Sequence, residues 1–355
     1  MKVALVHDDL VQWGGAEKVL LALSEIYPEA PIFTSVIDKK NSLIAEKFRN
    51  KKIITSFMQK IPGWRSLYRP LLPLYPLAFE QFDFSEYDLV ISQTTKFAKA
   101  IITRPETTHI CFIHTPPRFL WHLPADKYSG IFQPLFSWLR FYDQLISQRV
   151  DHFITGSFNC QKRVEKIYHK DAFVLQPFVD EKIVQGMTSF DGGYYLLIAR
   201  LNSYKNVELV VKTFNQNGKK LKIVGRGPEE RKLKSLALDN ISFYGGVSDE
   251  MITSLLAGCS GLIVSAEEDF GMTALEAQIF GKGVIAYGHG GSLETVINGK
   301  TGVYFDELSV KSLQTAIEEF ERNPVNPDEC IKNVQKFTLA KFKINFKNIL
   351  NKIIQ

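Results

Sequence analysis

A chain of 355 residues, 45% hydrophobic and 23% charged, is long enough to fill two ordinary cores, and this balance excludes a disordered, collagenous or disulfide-scaffold protein. A formal charge of +5 suits an anionic ligand or surface but falls short of the footprint that nucleic-acid binding leaves, and no nucleic-acid partner is expected. The cysteines Cys111, Cys160, Cys259 and Cys330 stand far apart, with no C-x-x-C pair and no histidine at zinc-ligand spacing, so they read as reduced thiols of a cytosolic chain.

Met1 to His7 reads as a strand, Asp8 to Gly15 as a loop, and AEKVLLALSEIY as the helix that follows. The opening MKVALVHDDL lacks the apolar core of a secretory leader, and no run reaches the ~18 uncharged apolar residues of a membrane span. A cytoplasmic protein is therefore expected. Between Lys47 and Phe82 cations and aromatics mingle, among them Arg49, Lys51, Lys52, Lys60, Trp64, Arg65, Tyr68 and Arg69. That stretch either rests peripherally on an anionic membrane or forms a solvated face over an aromatic core. Further strands are expected at DLVIS, HICFIH and HFITGS, and strands alternating with helices favour a parallel sheet covered on both faces.

Pro177 and the Gly192–Gly193 pair bracket a linker over 175–191. From Tyr194 the rhythm restarts with YYLLIA, KKLKIVG, ISFYG, GLIVSA, GVIAYG and GVYF, a second doubly wound sheet, and residues 328–355 carry apolar positions at helical spacing. The chain is thus α/β, with one Rossmann-like domain over 1–180, a second over 181–327 and a helical segment over 328–355. Ligands of such sheets sit at the C-terminal ends of the strands, and a cleft between the two domains is the expected site.

The chemistry concentrates at the strand ends of the second half. Arg200 and Lys205 lie five apart on the short loop after YYLLIA. They read either as solvated loop cations or as a pair that shares a diphosphate, guanidinium and ammonium splitting its charge. Gly225 and Gly227, after LKIV, allow a ligand close to the backbone or simply make a tight turn. In SAEEDFGMTALE a helix is expected to start near Met272, where free amides favour an anion and Gly271 removes the side chain that would block it. Glu268 can then accept from sugar hydroxyls and Glu276 from a ribose diol, since ionised carboxylates only accept. Taken alone, both are also ordinary surface charges.

Together these features resemble the family 4 retaining glycosyltransferases, which have the two-domain GT-B fold. ARLNSYKN and EEDFGMTALEAQIFGKGVIAYGHGGSLETVINGKTGVYF look like that family's C-terminal domain. Glu268 and Glu276 match its E-x7-E motif, and Arg200 and Lys205 its diphosphate-binding pair. GGAEKV, Gly14 to Val19, looks like its glycine loop, and HTPPRFLW, His114 to Trp121, is similar to a segment of bacterial polysaccharide and O-antigen mannosyltransferases. The likeness runs from about Met1 to Phe305.

The resemblance implies transfer of a sugar, mannose from GDP-mannose, to a glycan or lipid-linked glycan acceptor with retention at the anomeric carbon. Catalytic roles then fall to His114, Arg200, Lys205 and Glu268. The donor would be bound by Gly14, Gly15, Arg200, Lys205, Gly225, Gly227, Glu268, Phe270, Gly271, Met272, Thr273 and Glu276, and Asp8 would lie towards the acceptor. No metal or other cofactor is expected, the two cations replacing a metal, although Glu267 and Asp269 form a Glu-x-Asp. A UDP-sugar donor, a sugar-nucleotide epimerase and a non-catalytic partner subunit are the competing readings. The resemblance also implies that the C-terminal segment returns to the N-terminal domain.

Overall fold

The computed structural model describes residues 1–67, 70–121, 123, 133–181 and 188–354. The chain divides into two compact units. One takes in the described residues up to Pro177 together with those from Phe342 onward, and the other runs Phe178–Lys341.

Among the described residues of the first unit, seven strands form one parallel sheet: β1 Val3–His7, β2 Ile32–Thr34, β3 Ile53–Thr55, β4 Leu89–Thr94, β5 Thr108–Ile113, β6 His152–Thr155 and β7 Ala172–Val174. Their order is β3-β2-β1-β4-β5-β6-β7. The central β1 and β4 are buried along their whole length, as a sheet covered by helices on both faces requires. On one face Val6, Phe33, Val90 and Phe97 pack with Tyr75, Phe79 and Trp64; further along the same face, towards β7, Cys111, Ile113 and Phe153 pack with Val164 and Tyr168. The helix Leu339–Ile354 joins this unit from Phe342: the Phe346 ring stands edge-on to Tyr27, centroids 6.4 Å apart, and Lys343 pairs with Glu25 at 2.7 Å.

The second unit, again among described residues, holds a six-stranded parallel sheet of β8 Tyr195–Ile198, β9 Leu221–Val224, β10 Ile241–Gly245, β11 Gly261–Val264, β12 Val284–Tyr287 and β13 Gly302–Phe305, in the order β10-β9-β8-β11-β12-β13. Leu197, Ile223, Ile263 and Phe305 fill one face, and Leu196, Val224, Leu262 and Val264 the other. In each sheet the strand order reverses once, between β1 and β4 and between β8 and β11. Doubly wound sheets bind ligands outside such a reversal, because the connections leave the two strand ends in opposite directions and open a crevice.

In the mixed basic and aromatic stretch the described cations stay exposed or half-exposed, while several aromatics enter the core. Trp64 is 6% exposed and Tyr75 fully buried, while Arg65 lies over the Trp64 ring and pairs with Asp38 at 2.9 Å. Tyr68 and Arg69 lie outside the described residues. Trp64, one of the aromatics weighed for a lipid surface, thus fills the interior together with Tyr75, where their large apolar area contributes most.

Candidate active site

In the second unit the loop after β8 is built by its neighbour. Ala199 N–H donates to Val224 O at 3.0 Å and Leu201 N–H to Arg226 O at 2.9 Å, so the strand ladder continues past the end of the strands. This closeness explains the glycines. A Cβ on Gly225, whose φ is +137°, would lie 1.8 Å from Ala199 O, and one on Gly227 would lie 2.3 Å from Leu201 O. What these glycines accommodate here is the backbone of 199–201, and through it the placement of the exposed Arg200. Of the two uses the sequence allows, a ligand close to the backbone or a tight turn, these contacts account for the second.

Lys205 ends a short 3-10 turn, Ser203–Lys205, before the helix Val207–Asn217. Its ammonium reaches across the β8–β11 reversal to both carboxylate oxygens of Glu268, at 2.7 and 2.9 Å. Both side chains keep some access to solvent, 13% and 23%. Two further bonds knit the same loops: Ser265 Oγ donates to Lys205 O at 2.7 Å, and Asn206 Nδ2 to Ser265 O at 3.0 Å. Asn206 itself sits in the left-handed region at φ 53°, where asparagine is better tolerated than most residues.

The Glu268 segment is fixed from its other side by 290–291. Glu268 bridges Gly290 in parallel register, and Gly291 N–H donates to Glu268 O at 2.8 Å. A Cβ on Gly291 would lie 2.3 Å from Phe270 Cα. The Phe270 ring is committed to the core, against Phe337 with Val179, Leu275 and Val334 around it. Gly271, at φ +94°, is the N-cap of the helix Met272–Gln278 and brings no side chain of its own to it; Met272, Thr273 and Glu276 on that helix are half-buried. Gln278 and Asn333 anchor the helix through Thr295 O, at 2.8 and 2.9 Å.

In the first unit the ends of β1, β4 and β5 meet the start of the helix Gly15–Ile26. Gly14 is its N-cap, and a Cβ at Gly15 would meet no atom within 4 Å. Glu17, on the first turn, is buried 3.7 Å from His7 Nε2. Burial pushes the His7 imidazole down, but Glu17 and the carboxylates of Asp8 and Asp9 outweigh it and hold the group above its ordinary value. His114, half-buried just past β5, lies 2.7 Å from Gln93 Nε2. The rest of its motif is held by the fold: Thr115 Oγ1 accepts from Arg163 at 3.1 Å, Leu120 O accepts from Arg140 at 3.2 Å, and Trp121 Nε1 donates to Asp143 at 2.7 Å. Asp143 also pairs with the fully buried Lys99 at 2.6 Å and accepts from Tyr168.

Asp8 has a structural use at the strand end. Its carboxylate is 4% exposed and accepts from Thr94 Oγ1 and from the backbone amides of Thr95, Lys96, Phe97 and Ala98 at 2.6 to 3.0 Å. It therefore clamps the turn after β4. Asp9, paired with Lys96 and accepting from Tyr75 at 3.0 Å, feels burial upward, but Lys96 holds its carboxyl below the usual range. All four cysteines are buried and outside any disulfide, and burial pushes the Cys111, Cys259 and Cys330 thiols up to about 12, which keeps those three inert.

Residues 180–337 match the family model of glycosyl transferases group 1. The chain is 35% identical over 129 residues to the alpha-1,3/1,6-mannosyltransferase ALG2 of Dictyostelium discoideum, covering 34% of this chain and 30% of that protein. It is 31% identical over 141 residues to a glycogen synthase of Pseudomonas fluorescens, covering 37% and 27% respectively. In these two matches the aligned stretch spans under a third of the relative. The ALG2 of Mus musculus aligns at 23% identity over 91% of this chain and 88% of its own length. The solved sucrose-phosphate synthase of Thermosynechococcus elongatus superposes with a TM-score of 0.76 at 15% identity, covering 100% of this chain and 99% of that one, which gives the fold as that of the GT-B glycosyltransferases. The match over 180–337 shows that the second unit is similar to the glycosyl transferases group 1, and the two parallel Rossmann-like sheets agree with a glycosyltransferase fold.

Proposed function

We propose that the protein is a retaining family 4 glycosyltransferase that moves mannose from GDP-mannose to a glycan or lipid-linked glycan acceptor in surface-polysaccharide synthesis. The observation that carries the reading is the Lys205–Glu268 pair, which brings one cation and one carboxylate from the two strand ends flanking the β8–β11 reversal to a single point. Such a point offers a charge for a diphosphate and an acceptor for sugar hydroxyls side by side. Mannose as the transferred sugar is supported by the two ALG2 relatives and by the HTPPRFLW segment. A UDP-sugar is the alternative donor.

In this mechanism Arg200 and Lys205 stabilise the negative charge that builds on the departing diphosphate, with the Met272 and Thr273 amides adding to it. The bond from the anomeric carbon to the diphosphate oxygen breaks as the acceptor oxygen bonds on the same face, and the acceptor proton passes to the departing oxygen. Glu268 positions the sugar, Glu276 accepts from the ribose, and His114, Gly14 and Gly15 engage the donor. The paired cations make a metal unnecessary. Titration with GDP, GDP-mannose, UDP and UDP-sugars, followed by thermal shift, tests the reading, since a ligand of the folded state alone raises its stability. Selective stabilisation by GDP and GDP-mannose is expected; preference for UDP overturns the donor, and no response to any nucleotide overturns the transferase.

The same proposal places the enzyme at the inner face of the cytoplasmic membrane. Among the described residues no helix is long and apolar enough to cross a bilayer. The helix Gln133–Ser147, however, buries Phe136, Leu139 and Ile146 and turns Leu135, Trp138, Phe141 and Leu145 outward, Phe141 being 69% exposed. A helix apolar on both sides wants a second apolar phase, and an aromatic face on a cationic protein suits an anionic lipid interface. Serine at Trp138 and Phe141 is expected to abolish sedimentation with anionic vesicles; unchanged sedimentation would remove the membrane from the proposal.

A further inference from the structure

Gln93, next to last in β4, stands in register with His7 on β1 and is fully buried. Its amide makes two contacts. Gln93 Nε2 lies 2.6 Å from Ala16 O on the first turn of the helix Gly15–Ile26, and 2.7 Å from His114 Nε2. The first contact decides the orientation of the amide. A backbone carbonyl only accepts, so the atom facing Ala16 O must be the NH2, and rotating the amide would set two oxygens against each other. The two hydrogens of that NH2 are then both directed, one to Ala16 O and one to His114 Nε2. The amide oxygen is left buried with no partner among the described residues, an arrangement that costs stability and that an amide free to turn would not adopt.

We infer that Gln93 is the positioning residue of His114: it holds the imidazole neutral, with Nε2 as the acceptor and the proton on Nδ1. An Nε2 facing a committed NH2 cannot also carry a hydrogen, so both the opposite tautomer and the imidazolium are disfavoured. The ring therefore presents an N–H donor from Nδ1 and takes up no proton at Nε2. His114 acts as a hydrogen-bond donor to an oxygen, not as a proton shuttle. Because the same NH2 grips Ala16, Gln93 also ties the Gly14–Gly15 turn to His114, so two segments 100 positions apart in sequence share one anchor. The part of this that concerns catalysis rests on the proposed contact between His114 and the donor sugar; the tautomer does not.

The experiment uses the full-length chain with 15N-labelled histidine, reading the His114 ring by long-range 1H–15N correlation in wild type and in Gln93→Met, which removes the NH2 at similar length. Wild type is expected to show Nε2 as the unprotonated nitrogen and Nδ1 as the protonated one, and Gln93→Met to lose that preference. Sugar transfer by the variant is expected to fall on the order of 10- to 100-fold in kcat with little change in donor KM, as loss of orientation does. A proton on Nε2 in wild type overturns the inference without any variant. So does a folded Gln93→Met whose His114 tautomer is unchanged. If the tautomer is as expected but neither Gln93→Met nor His114→Ala changes transfer, the lock stands and the sugar contact of His114 falls.

Discussion

Glu268→Gln should make a nucleoside diphosphate bind more tightly while slowing sugar transfer. In the free protein the Lys205 ammonium is held by both oxygens of Glu268 at 2.7 and 2.9 Å. At 2.7 Å and an effective dielectric of 20 the attraction is about 6 kcal/mol before desolvation and screening. Exposures of 13% and 23%, with the entropy of holding a lysine, reduce this to a net coupling of about 1 to 2 kcal/mol. A diphosphate that takes Lys205 over must displace that partner, so removing the carboxylate's charge should tighten GDP by roughly fivefold. Calorimetric titration of GDP into wild type, Glu268→Gln, Lys205→Met and the double variant reads this directly, and unfolding of the same four proteins gives the coupling by a double-mutant cycle. Lys205→Met should weaken GDP in either background. If Glu268→Gln leaves GDP affinity at or below wild type while the cycle shows the coupling intact, Lys205 does not exchange one anion for the other.

Other outcomes follow from single features. Gly225→Ala puts a Cβ 1.8 Å from Ala199 O at φ +137° and should destabilise by about 2 to 4 kcal/mol in chemical denaturation, whereas Gly15→Ala meets open space and should change stability by less than about 1 kcal/mol while weakening donor binding. Asp143→Ala strands the buried Lys99 and removes the acceptor of Trp121 and Tyr168, a loss of about 3 to 5 kcal/mol by denaturant midpoint. His109 is fully buried, and burial holds its imidazole down at about 4, below the ordinary 6.5. The unfolded chain therefore binds a proton that the folded one refuses, so stability is intact above pH 6.5 and falls as pH drops towards 4, by about 3 kcal/mol from this group. In His109→Gln the stability difference between pH 7 and pH 4 should shrink by that amount.

How much of this the residues announced depends on how much pattern each element carries. The central strands β1, β4 and β5 and all six strands of the second unit are runs of four or more apolar-rich residues, and periodicity finds them. The outer strands β3 and β7, and β2 beside β3, are three residues each, too short to show a period. Arg200, Lys205, Glu268 and Glu276 could be picked out because charge at the end of an apolar run is conspicuous. Gly225 and Gly227 were conspicuous too, but a glycine tells only that a side chain would not fit, not what lies opposite; here it is Ala199 and Leu201. Gln93 carried no signal at all. A neutral amide at a strand end gains meaning only once Ala16 and His114, far off in sequence, are seen within 2.7 Å of it. Trp64 could not be placed from sequence for another reason: composition cannot tell an aromatic facing lipid from one facing a core.

The interlocked loops of the second unit carry a consequence for the entropy of binding. Ala199–Leu201 is laddered to Val224–Arg226, and Glu268–Phe270 lies against Gly290–Gly291, through backbone bonds at positions where a side chain would not fit. Backbone held in this way has already given up its conformational freedom when the chain folds. A ligand arriving at these strand ends finds its partners set and pays little to order them, so affinity is left for the atoms that touch the ligand rather than consumed in arranging the loops. The same rigidity limits adaptation: a change of donor preference has to come from side chains such as Asn206, Met272 or Thr273, because the main chain beneath them has nowhere else to go.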